Sequence, residues 1–182
     1  MRSCFALLFA FAWALPHGNA AADLPTLSTV PALDVDRYAG IWYEIARYPN
    51  RFQRQCAGDV SARYSLLPDG TLEVVNACRT QDGSREEAVG VARPVVANDF
   101  TRLQVRFAPA FLSFLPFVWG DYWVIELAPD YSYAVIGEPS REYLWVLARS
   151  PSMDDVTLDR LLQRAAAQGY DPARAVRTVH TP

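Results

Sequence analysis

The chain has 182 residues, 51% of them apolar and 20% charged, which places it among globular proteins with room for one sizeable core. Its formal net charge is −3, and the 17 basic residues are all arginine. With no basic run there is no electrostatic footprint for nucleic acid, and with no lysine there is no amine for Schiff-base chemistry.

The N-terminus reads as a targeting segment. Arg2 precedes an apolar run from Phe5 to Leu15, followed by Pro16, Gly18 and Ala20-Ala21-Ala22. The run is too short for a stable membrane span and ends in small residues, so the pattern predicts a signal peptide over 1–22. Cleavage is expected after Ala22 or, as the alternative, after Ala20, leaving a single domain over 23–182. Cys4 leaves with that segment; Cys56 and Cys78 stay, an even number suited to an oxidising compartment. No cysteine follows the apolar run to carry a lipid, so the expected location is periplasmic or secreted, without a lipid anchor.

Residues 23–35, with Pro25 and Pro31, read as an extended arm. Beyond it, short alternating segments with turn punctuation predict strands at 42–48, 58–67, 71–78, 87–93, 101–108, 120–128, 131–137 and 143–149. Pro68-Asp69-Gly70 is the strongest hairpin turn, because glycine accepts positive φ. The period then becomes helical. Ser152 is the candidate cap, Asp154 and Asp155 favour the helix dipole, and Val156, Leu158, Leu161, Leu162 and Ala165 form an apolar stripe. Gly169 stops the helix, and 174–179 is a candidate ninth strand.

Cys56 and Cys78 fall near the open ends of the second and third strands, on either side of the Asp69-Gly70 turn. A disulfide pinning this hairpin is predicted, with two free thiols as the alternative. A two-residue turn does not place the pair opposite one another, so the bond requires a bulge or an irregular approach.

Three stretches carry a family resemblance. Gly40-Ile41-Trp42-Tyr43-Glu44-Ile45-Ala46 resembles the first signature motif of the lipocalins, most closely their bacterial branch. Gly120-Asp121-Tyr122 resembles the second, with glycine where the family usually has threonine. Tyr143 to Pro151, with Arg149 closing the last barrel strand, resembles the third. The resemblance spans roughly 33–180 and implies an all-β fold: an eight-stranded antiparallel up-and-down barrel, one C-terminal α-helix packed outside, and a short ninth strand. It also implies a closed floor built from Gly40, Trp42 and Arg149, with the guanidinium stacked on the indole.

Strand parity then assigns faces. Arg149, Leu147, Trp145 and Tyr143 share the inner side, leaving Leu144, Val146 and Ala148 for the helix. Trp42, Glu44, Ala46 and Tyr48 share inward parity on the first strand, as do Leu103, Val105 and Phe107 on the fifth. The candidate ligand-binding residues are Ala46, Tyr48, Val105, Phe107 and Trp145 on these faces, with Tyr122 and Tyr133 added for polar tips that could meet a ligand headgroup, a one-residue shift in their strands reversing their faces. Glu44 is expected to pair with an arginine or tyrosine at the floor. The connection holding Phe111, Phe114, Phe117 and Trp119 is apolar for a loop. It would satisfy itself by covering the mouth, meeting a membrane surface, forming a dimer contact or packing on its own barrel.

Past the signal segment His180 is the only histidine, and phosphate-binding and calcium loops are lacking. No catalytic residue, metal site or cofactor is therefore predicted. The expected function is binding, storage or transport of apolar ligands, such as membrane-derived fatty acids or lysophospholipids, in the cell envelope, by a monomer or homodimer. The alternatives are a lipid-modifying enzyme of the same fold and an interaction module using the Phe111–Trp119 loop.

Overall fold

The computed structural model describes residues 24–181. The predicted signal peptide at 1–22 lies outside them. A short helical turn, α1 (Val35–Tyr38), leads into nine strands: β1 (Gly40–Arg47), β2 (Cys56–Leu66), β3 (Leu72–Thr80), β4 (Arg85–Val96), β5 (Asp99–Arg106), β6 (Gly120–Leu127), β7 (Tyr133–Gly137), β8 (Trp145–Ala148) and β9 (Val176–Arg177). The helix α2 (Asp155–Ala166) lies between β8 and β9. Strands β1 to β8 pair antiparallel with their sequence neighbours, and β8 and β2 both bond β1, which closes the barrel. β9 adds to β1 outside the ring through Ala46↔Arg177 and Arg47↔Val176.

Two apolar cores form. Within the barrel, Tyr38, Trp42, Tyr64, Leu72, Val74, Ala92, Phe100, Leu103, Val124, Ile136 and Leu147 pack together. Outside it, Leu158, Leu161, Leu162 and Ala165 of α2 cover Ile45, Tyr48, Val135, Leu144, Val146 and Ala148. Val156 stays exposed rather than joining the stripe, since it begins the helix on the solvent side. The cap is Asp154, whose carboxylate accepts the Thr157 amide at 2.8 Å, and not Ser152.

β1 holds the main departure from simple alternation. Its register with β8 runs Glu44↔Leu147 and then Ala46↔Val146, so Ile45 is an inserted residue. The bulge reverses the faces beyond it and sends Ala46 and Tyr48 to the helix side, correcting their inward assignment. Tyr133 is likewise outward: it pairs with Ala148 and packs on the helix-side core, while Ala134 and Ile136 face in.

Cys56 and Cys78 are bonded, with their Cα atoms 5.6 Å apart. Register shifts between Cys56 and Gly58 and between Gly58 and Ser61 supply the bulges that the bond requires. The same irregularity pulls upper β2 away from β1, whose mutual pairing stops at Tyr43↔Ser61. Residues 178–181 fill this seam. Thr178 donates its amide to Ile45 O at 3.0 Å, and Asp59 donates its own to Val179 O at 2.8 Å. Gly58 is required here, because a Cβ would lie 2.5 Å from the Val179 carbonyl oxygen.

Asp59 fastens this strap by accepting the Thr181 amide and the Arg79 guanidinium, each at 2.6 Å. Those bonds, the Thr181 amide foremost, hold its carboxyl down at about 2. A carboxyl depressed by folding adds stability that is complete above its unfolded value and fades as pH falls through the folded one. Asp59→Asn is therefore expected to loosen residues 178–181, read as faster amide exchange there at neutral pH. The stability gap between parent and variant should be full at pH 6 and close as pH falls from about 4 toward 2. A gap independent of pH would contradict this account.

Candidate functional site

The floor is a closed plug. Gly40 sits at φ +97° with Arg149 Nη1 only 3.3 Å from where a Cβ would stand, so a side chain would be both strained and crowded. Arg149 lies 3.9 Å above the Trp42 ring and donates to the carbonyls of Arg37, Tyr38, Ala39 and Ile41. Trp42 Nε1 donates to Tyr38 O at 2.8 Å. One cation thus ties the turn before β1 to the end of β8.

Above the packed lower half the barrel is hollow. A cavity of about 580 Å³ opens at the end opposite the plug, within the size range of small-molecule sites. Val105, Phe107, Tyr122 and Trp145 line it, together with Tyr64, Val74, Val60 and the cystine pair. Ala46, Tyr48 and Tyr133 do not. Tyr48 instead exchanges hydrogen bonds with the Asp171 backbone, at 2.6 and 2.7 Å, on the helix side.

One wall carries a polar cluster. Gln53 Oε1 accepts Trp145 Nε1 at 3.0 Å, and Gln53 Nε2 donates to Glu44 Oε2 at 2.6 Å. Glu44 is buried and also accepts from Arg47 at 2.9 Å and from the Thr178 hydroxyl. The acid thus has the arginine partner expected from sequence, but it belongs to the cavity wall and the strap, not to the floor. Gln53 sits on a 3-10 turn (Arg51–Gln53) with no periodicity to announce it. Trp145 stacks on Tyr143, 5.9 Å between centroids, and Tyr143 meets Phe52 at the rim.

At the boundary between cavity and packed half stand three phenols. Tyr38 and Tyr122 hydroxyls are 2.6 Å apart, and Tyr64 donates to Tyr122 at 3.0 Å. Burial pushes Tyr64 up to about 12 and raises Tyr38 and Tyr122 well above the ordinary phenol value, so all three remain protonated in physiological conditions.

The β5–β6 connection stands at the mouth. Trp119 folds back on its own barrel between Arg93, at 3.9 Å, and Arg106, at 5.2 Å, and donates to Ser113 O at 2.8 Å. Phe111, Phe114 and Phe117 do not follow it; they are 74%, 76% and 81% exposed. Residues 110–112 and 116–118 form 3-10 turns that present these rings outward beside the opening.

The family model described as Lipocalin-like domain matches residues 33–180. The chain is 42% identical over 154 residues to Temperature-induced lipocalin-1 of Arabidopsis thaliana, covering 84% of this chain and 82% of that one. It is 36% identical over 151 residues to Outer membrane lipoprotein Blc of Escherichia coli K12, covering 82% and 81%. Among solved structures, insecticyanin from the tobacco hornworm Manduca sexta superposes with a TM-score of 0.66 at 18% identity, over 87% of this chain and 86% of that one, a likeness of fold.

Proposed function

The chain belongs to the lipocalin family, and on that premise we propose that it is a non-catalytic carrier or scavenger of membrane-derived lipids, fatty acids or lysophospholipids, in a periplasmic or extracellular setting. The observation that carries this reading is the hollow upper half of the barrel, closed below by Trp42 and Arg149 and open at a rim of aromatic side chains. An acyl chain entering it would gain about 0.8 kcal/mol for each buried methylene. Val105, Phe107, Tyr122 and Trp145 are the proposed contacts, since they line the space. Both Glu44 oxygens are engaged by neighbouring side chains, which suits a wall strut better than a general base.

The three exposed phenylalanines support a second element: the mouth loop rests on a lipid surface, so that ligand enters without crossing water. Titration of the mature protein with a lysophospholipid, followed by tryptophan fluorescence, tests both. Saturable binding at micromolar ligand is expected, with most of the signal lost in Trp145→Phe. Loading from lysophospholipid-doped vesicles should slow in Phe114→Ser/Phe117→Ser while affinity for free ligand is retained. No saturable binding defeats the carrier reading, and equal loading rates defeat the membrane contact.

A further inference from the structure

Three phenol hydroxyls at the base of the cavity carry three protons but share two hydrogen bonds among the described residues, Tyr64 to Tyr122 and Tyr38 with Tyr122. Each hydroxyl has one donor and two acceptor positions, so whichever way the Tyr38–Tyr122 bond points, one proton is left over. If Tyr38 donates, Tyr122 accepts twice and its own proton is free. If Tyr122 donates, the free proton is on Tyr38. Tyr64 and Tyr122 both line the cavity, whereas Tyr38 lies behind them against Trp42. Val74, Leu103, Val105 and Leu147 pack around them, and Asn76, which also lines the cavity, shares no hydrogen bond with the triad among the described residues.

We propose that this triad is a deep anchor for a neutral oxygen acceptor, a hydroxyl or carbonyl, carried at the leading end of an elongated apolar ligand. The proposal rests on the ligand-binding reading above and names the ligand chemistry that the floor of the cavity selects. An unadorned methyl terminus brought to this level would cover the spare donor without satisfying it, and a buried donor left unpaired is costly. A carboxylate is disfavoured, because Arg149, the cation whose charge reaches Tyr38, is spent on four backbone carbonyls and lies against Trp42. The hydroxyls stay protonated because burial raises all three, so the donor persists across the physiological range. Plain fatty acids can still bind with their tails short of the triad; the oxygenated ones reach it.

The test compares saturated fatty acids with their ω-hydroxy counterparts of equal chain length, across medium and long chains, on the parent and on Tyr64→Phe/Tyr122→Phe. In a uniformly apolar cavity the added hydroxyl weakens binding at every length. Here, at the length that reaches the triad, the ω-hydroxy acid should bind at least as tightly as its plain partner. Tyr64→Phe/Tyr122→Phe keeps both rings, removes the two hydroxyls that line the cavity, and should weaken the ω-hydroxy acid by about tenfold more than its plain partner. Each single phenylalanine would leave a spare proton on a remaining hydroxyl, so both cavity-lining hydroxyls are removed together; should that variant fold poorly, the comparison of the two ligand series on the parent decides. ω-Hydroxy acids that bind more weakly at every length, or that respond to the double variant no more than plain acids do, overturn the anchor while leaving the carrier reading intact. Failure of both ligand series to bind overturns both.

Discussion

Alanine in place of Trp42 is expected to lower the free energy of unfolding by about 3–5 kcal/mol, the usual cost of emptying a buried aromatic site. The indole is fully buried, lies 4.9 Å from the Tyr38 ring, and is covered by Arg149 at 3.9 Å. Removing it leaves a void that the closed ring of strands cannot collapse to fill. It also deletes the Nε1 bond to Tyr38 O and leaves the guanidinium with no ring beneath it. For a domain stable by roughly 5–15 kcal/mol this is a large share of the total. Urea unfolding should show a lower midpoint with an unchanged slope, and Trp42→Phe should fall between the two. A loss below about 1 kcal/mol would mean that the plug is not a main support of the barrel.

Removing the disulfide is the second large effect. Cys56 and Cys78 are 22 positions apart, and a cross-link over such a loop contributes about 3 kcal/mol in the chain-entropy account. The bond also holds upper β2 against β3 at the place where β2 has left β1, so its loss acts directly on the cavity wall. Cys56→Ala/Cys78→Ala is therefore expected to unfold about 3 kcal/mol more easily and to show faster amide exchange in residues 56–61 than elsewhere in β2. Equal stability of parent and double variant would show that strap and strand pairing alone hold the seam.

The fold was largely legible because its signals are local and redundant. Pro68-Asp69-Gly70 marks a hairpin whatever surrounds it, Leu158, Leu161 and Leu162 repeat at helical spacing, and Arg149 lies 3.9 Å above the Trp42 ring as the resemblance implied. On β8, strict alternation places Trp145 and Leu147 inside and Val146 and Ala148 under the helix. The site was less legible. One inserted residue, Ile45, reverses every side chain after it, and no composition signal in Glu44-Ile45-Ala46 distinguishes a bulge from a regular strand. Ala46 and Tyr48 were displaced for that reason. Gln53 gives no sequence signal, because a glutamine in an irregular segment carries no period. Tyr38 and Tyr64 give none either, because their role depends on three rings from α1, β2 and β6 converging on one point, a fact of tertiary geometry. The candidate strand at 174–179 reaches only the first two residues of the strap at 178–181, whose partners lie more than a hundred positions away.

The barrel's division into a filled lower tier and an empty upper one has an evolutionary consequence. Under the carrier function proposed above, selection for folding would act chiefly on the tier of Trp42, Leu72, Phe100 and Leu103, and selection for cargo on Val105, Phe107, Trp145 and the mouth. Cargo preference can therefore drift or be re-engineered at the upper positions with little penalty in stability, until a change reaches the tyrosine layer. There the two pressures meet in the same three side chains, and new specificity must be balanced against a weaker core.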